Sequence, residues 1–119
     1  MKLRIQDDSI RLRLTQVEVR RLAEAGEVRA ETHVAPGSAL VYRLRAADRA
    51  DLGAALDGAE VTVFVPAAWV EGWPDDERVG FEGTQDVGDG RRLALLVEKD
   101  FDCLHRRSDK ATRSPAPDA

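Results

Sequence analysis

Cysteine occurs once in the 119 residues, at Cys103, so no internal disulfide framework can form. Cys103 and His105 are separated by one residue, and His33 is the only other histidine. A structural zinc site needs four ligands, and no second cysteine supplies them. Aromatic residues make up 5% of the chain, so aliphatic side chains must fill its interior. Lysine is restricted to Lys2, Lys99 and Lys110, and arginine carries the remaining positive charge. Long apolar runs are missing. The segment Met1-Lys2-Leu3-Arg4 has no apolar core of signal-peptide length, and no run approaches membrane-spanning length. These absences predict a reducing, cytoplasmic setting without a membrane partner. There is also no phosphate-cradling glycine motif, no hydrolase nucleophile elbow and no paired-acid constellation with supporting residues.

What is present suits a small folded domain. The chain is 43% apolar and 34% charged, with a formal net charge of −4. That balance argues against a dedicated nucleic-acid binder. The charge is unevenly spread. Residues 1–47 carry nine basic and six acidic side chains, a balance of +3, whereas residues 48–105 carry five and fourteen, a balance of −9. Such asymmetry can pair the two halves within one molecule or between two.

Apolar residues recur with period two in most of the chain, which predicts half-buried strands. Leu3 and Ile5, then Ile10, Leu12 and Leu14, form a first hairpin around Gln6-Asp7-Asp8-Ser9. Thr15-Gln16-Val17-Glu18 fits a capping box, and Val19, Leu22 and Ala23 give one apolar helical stripe that Gly26 ends. Residues 27–34 and 40–45 form a second hairpin. Residues 48–58 allow a helix by their alanine content, but Leu52, Ala54 and Leu56 alternate and Asp57-Gly58 is a hairpin signal, so a third hairpin with Val61, Val63 and Val65 is predicted. Pro66 opens a short helix through Trp69, Val70 and Trp73 that ends before Pro74. Strands at 79–85 and 92–99 form a fourth hairpin around residues 86–90. Residues 106–119 read as a disordered tail.

The inventory contains a repeat. Adding 51 to Ile5, Ile10, Leu12, Leu14, Val19, Leu22 and Val28 gives Leu56, Val61, Val63, Val65, Val70, Trp73 and Val79, all large and apolar. Leu40, Tyr42 and Leu44 match Leu93, Leu95 and Val97 after an insertion of two residues. The prediction is an α+β fold: a single domain over 1–105, built from two ββαββ copies at about 1–47 and 48–105. Its eight mostly antiparallel strands form a strongly curved sheet or a closed barrel, with two short helices.

Three segments carry a resemblance. They are Met1-Lys2-Leu3-Arg4-Ile5 with Ser9-Ile10-Arg11-Leu12-Arg13-Leu14-Thr15, then Val79-Gly80-Phe81-Glu82, then Leu95-Leu96-Val97-Glu98-Lys99-Asp100-Phe101 with Cys103-Leu104. Together they resemble a family of small bacterial proteins defined as a domain of unknown function. That likeness implies no activity, ligand or catalytic residue. In fold, the duplicated pattern is also similar to the triphosphate-tunnel barrels, whose first strand carries alternating glutamates and a lysine. Here the first strands carry Lys2, Arg4, Arg11 and Arg13 instead.

Three constellations could carry function. Arg11 and Arg13 share one strand face, as do Arg43 and Arg45; guanidinium forks suit phosphate or carboxylate ligands, and the ordinary alternative is a solvent face with cross-strand Arg–Glu pairs. Glu98, Asp100 and Asp102 alternate, and on a strand they could offer oxygens to Mg²⁺; the alternative is a hydrated strand end. Trp69 and Trp73 lie one helical turn apart, as core residues or, if exposed, as a partner surface. No cofactor is expected. The leading expectation is a non-enzymatic ligand-binding or protein-interaction domain, with a homodimer, another protein or an anionic small molecule as partner. The rival is a Mg²⁺-dependent barrel that binds or hydrolyses triphosphates.

Overall fold

The period-two segments become eight strands in the computed structural model, which describes residues 1–100. In chain order they are β1 (Lys2–Ile5), β2 (Ser9–Leu14), β3 (Glu27–Ala35), β4 (Ser38–Ala47), β5 (Gly53–Asp57), β6 (Glu60–Pro66), β7 (Gly80–Gly88) and β8 (Arg91–Lys99). Helix α1 (Gln16–Ala25) follows β2, and the one-turn α2 (Ala67–Val70) follows β6. Asp102, Cys103, His105 and the tail lie outside the described residues.

Local chemistry sets the ends of α1. The Thr15 hydroxyl accepts from the Glu18 N–H at 3.2 Å, and the Glu18 carboxylate accepts from the Thr15 N–H at 2.9 Å. Gly26 stops the helix in the left-handed region at φ 83°, its N–H bonded to the Leu22 carbonyl. The alanine-rich segment is a strand, as its alternation indicated. Its two-residue turn is Gly58-Ala59, one residue later than Asp57-Gly58, because Asp57 pairs with Glu60. The last loop also shortens, to Asp89-Gly90. A bulge at Val87 takes up the extra residue between Asp86 and Gly88. The second helix is shorter than expected. Gly72, at φ 81°, breaks it, and Trp73-Pro74-Asp75 form a separate 3-10 turn.

The strands form two four-stranded sheets, ordered β1-β2-β8-β7 and β3-β4-β6-β5. The first hairpin of each half joins the second hairpin of the other. The central pairings, β2 with β8 and β4 with β6, are therefore parallel, and the other four are antiparallel. The expected single curved sheet or closed barrel is not formed among the described residues, because backbone pairing stops at the edges of each set of four. Where β5 and β7 approach, a side chain joins them: the Gln85 amide bonds both backbone groups of Ala54.

Both sheets contribute to one aliphatic core. It comprises Leu12, Leu14, Phe81, Leu95 and Val97 from one sheet and Val28, Leu44, Val63 and Val65 from the other, closed by Val19, Leu22, Leu52, Val70 and Trp73. Burying each such side chain stabilises by about 1.5–3 kcal/mol. Register in one sheet repeats in the other. Leu3 opposite Leu12 corresponds to Ala54 opposite Val63, and Ile5 opposite Ile10 to Leu56 opposite Val61, an offset of 51. The offset becomes 53 at the second hairpins, where Val28 opposite Leu44 corresponds to Phe81 opposite Val97. The counterpart of Val28 is therefore Phe81, not Val79. Phe81 is buried, whereas Val79 is 51% exposed.

A candidate anion-binding face and edge

Alternation turns Lys2, Arg4, Arg11 and Arg13 away from the core, since Leu3 and Leu12 occupy the opposite parity. Register then aligns them. Lys2 lies beside Arg13, with Glu98 on the next strand, and Arg4 lies beside Arg11, with Leu96 and Glu82 on the two strands beyond. Glu98 serves both arginines of β2 through one carboxylate oxygen, at 3.1 Å from Arg13 Nε and 3.5 Å from Arg11 Nε. Lys2 and Arg4 have no carboxylate partner among the described residues. A groove of about 530 Å³ runs along this margin, lined by residues 1–5, Arg11, Arg13 and Tyr42. A second hollow of about 420 Å³ shares Arg4 and Arg11 with it.

The other predicted pair lies on the other sheet. Arg43 meets Glu60 at 3.1 Å and donates to the Thr62 hydroxyl at 3.3 Å, while Arg45 meets Glu27 at 2.9 Å. The four arginines are thus not gathered into one site. The charge asymmetry is partly satisfied inside the molecule: Arg11, Arg13, Arg20 and Arg43 of the first half pair with Glu98, Asp75 and Glu60 of the second.

Of the acidic triplet Glu98, Asp100 and Asp102, only the first two fall within the described residues. Glu98 is committed to two guanidinium groups, and Asp102 lies beyond the described residues. Among those residues no group of three or more potential metal ligands occurs. The Asp100 N–H donates to the Leu14 carbonyl at 2.7 Å, the last rung of the parallel β2–β8 ladder. Trp73 is fully buried, with its indole N–H on the Arg78 carbonyl at 2.8 Å and its ring 4.8 Å from Phe81. It offers no partner surface, because the 3-10 turn after Gly72 places it in the core. Trp69 is half-buried, with its ring 5.4 Å from Phe81.

Two features escaped the sequence reading. Lys99 is buried, its ammonium donating to the Asp76 carbonyl at 2.6 Å and lying 5.6 Å from the Trp73 ring centre. The signal was present, since Lys99 shares parity with Leu95 and Val97. The Met1 ammonium is bound by the Glu18 carboxylate. Burial pushes the Glu18 carboxyl upward, but hydrogen bonds from that ammonium and from Thr15, with the ammonium's charge, outweigh it and hold the group below its ordinary value of 4.5.

No helix among the described residues is long and apolar enough to cross a membrane. No curated protein and no solved structure matches the chain. The model of DUF7009, a family of unknown function, matches residues 1–118, and the chain belongs to that family.

Proposed function

We propose that this chain is a non-enzymatic binding domain that engages an anionic partner on the outer face of β1 and β2. One observation carries the reading. Four cations from two adjacent strands align beside an open groove, and two of them, Lys2 and Arg4, lack a carboxylate among the described residues. Arg11 and Arg13 stand ready beside them, sharing one glutamate oxygen. Guanidinium groups in such a row suit carboxylate or phosphate oxygens. The lone cysteine fits a cytoplasmic setting. The matching registers of the two sheets support descent from one duplicated ββαββ unit. The polar faces of the copies have since diverged: Arg11 and Arg13 correspond to Thr62 and Phe64.

Thermal denaturation with added ligand tests the reading, because a ligand that binds only the folded chain raises Tm. Hexaglutamate peptide, inorganic phosphate and tripolyphosphate, the last with and without Mg²⁺, are the probes. A salt-sensitive rise with polyanions is expected, and its loss in the Lys2→Ala, Arg4→Ala double variant. No rise with any probe at millimolar concentration would overturn it. Release of inorganic phosphate from tripolyphosphate only with Mg²⁺ would establish the hydrolase instead.

A further inference from the structure

We infer that the free edge of β1 is a strand-addition site for an extended acidic peptide of a partner protein, in which carboxylate and apolar side chains alternate. This rests on the anion-binding reading above and adds backbone pairing to it. The geometry starts at the turn. The Gln6 N–H donates to the Ser9 carbonyl, so by antiparallel alternation the backbone groups of Leu3 and Ile5 point away from β2. The other half of the molecule shows what such groups accept. Ala54, the register counterpart of Leu3, has the same outward N–H and C=O, and the Gln85 amide fills both, at 2.8 and 3.0 Å. The residue corresponding to Gln85 at the offset of 53 is Thr32. Its short side chain makes no hydrogen bond to β1 among the described residues. One edge carries its own plug; among the described residues its counterpart does not.

The groove lies at this unplugged edge and is lined from both faces of β1. Lys2 and Arg4 stand on one side of the edge. Leu3, Ile5 and Tyr42 stand on the other, with Ile5 56% exposed. The Tyr42 hydroxyl already reaches the edge, donating to the Met1 carbonyl at 3.4 Å. A strand laid along β1 would place alternate side chains beside the two cations and the rest over the apolar side, with main-chain bonds supplying affinity. Charge complementarity selects carboxylates. The edge of β3 differs, since its neighbouring arginines are already matched: Arg29 with Glu31 and Arg45 with Glu27.

The test uses the full chain and four fluorescein-labelled peptides: alternating Glu-Val-Glu-Val-Glu-Val, its block-ordered isomer Glu-Glu-Glu-Val-Val-Val, and two forms of the alternating peptide N-methylated at every second amide, one in each register. The alternating peptide is expected to bind at least tenfold more tightly than the isomer or than one of the methylated registers. On binding, the Leu3 amide should gain protection from hydrogen exchange. Ile5→Pro removes an outward N–H and leaves the β1–β2 ladder intact, so it should weaken binding at least fivefold. If that variant does not fold, the methylated peptides and the Leu3 amide still decide. Equal binding of all four peptides, without Leu3 protection, would overturn edge pairing while leaving the anion-binding face standing. Failure of every anionic probe would remove both. A dimer in scattering that Ile5→Pro dissociates would also overturn it, since a second copy would then own the edge.

Discussion

Gln85 binds Ala54 as a strand residue would. Its Nε2 donates to the Ala54 carbonyl at 3.0 Å, and its Oε1 accepts from the Ala54 N–H at 2.8 Å. Two edge strands that share no backbone ladder are thereby joined by one side chain, and a template for outside pairing is blunted.

Replacing that amide should cost stability. Gln85→Ala leaves both groups of Ala54 without their partner, and a loss of about 1–3 kcal/mol is expected in urea denaturation. Gln85→Glu keeps the shape and removes the donor to the Ala54 carbonyl, so it should fall in the same direction.

Gly80→Ala should destabilise by about 1–3 kcal/mol, the cost of forcing extra atoms into a packed contact. A Cβ there would sit 2.3 Å from the Val97 carbonyl oxygen and 2.7 Å from the Glu98 Cα, and backbone cannot move aside as a side-chain tip can. Gly83→Ala is the control. Its Cβ would meet Leu52 at an ordinary 3.5 Å, and a much smaller change in melting temperature is expected.

Lys99 contributes both volume and a donor under Trp73. Lys99→Ala should lose about 2–4 kcal/mol by leaving a cavity. Lys99→Met fills the space but leaves the Asp76 carbonyl without its bond, and should recover part of the loss in the same denaturation series.

Glu18 gives the fold a defined acid sensitivity. Its carboxyl is held below 4.5 in the folded chain, so the unfolded chain binds this proton more readily. The stabilisation is complete above the unfolded value and is lost as pH falls through the lowered folded value. Urea midpoints of the native chain and of Glu18→Gln should therefore differ most near neutrality and converge below pH 4.5. A gap that widened on acidification would contradict this.

Glu98 competes with any incoming anion for Arg11 and Arg13. Glu98→Ala should enlarge the tripolyphosphate-induced rise in Tm. The change in intrinsic stability should be small, within about 1 kcal/mol, because both arginines are about a third exposed and such pairs are screened by solvent. An unchanged rise would place the anion elsewhere.

Much of the secondary structure was legible. Leu12, Leu14, Val63 and Val65 alternate as strands must, and Thr15 with Glu18 announces the start of α1. The turns shifted by a residue or two because Gly58 and Gly90 could close loops in more than one frame. The site was legible only in pieces. Arg11 with Arg13 was visible as a face, and the same spacing at Arg43 with Arg45 gave an equal signal. Nothing in the spacing shows that these pairs sit on different sheets.

By itself, the sequence determined where the strands alternate, which face of β2 and β6 turns to the core, and where α1 begins and ends. Those properties depend on side-chain periodicity and local capping. Only the tertiary structure decided how the hairpins exchange between halves, which edge Gln85 fills, and which cations lack a carboxylate among the described residues. Strand pairing joins residues as far apart as Arg13 and Glu98, and the backbone hydrogen bonds that choose those partners are chemically alike at every position. The pattern along the chain cannot distinguish one pairing from another; packing of the two apolar faces around one core does.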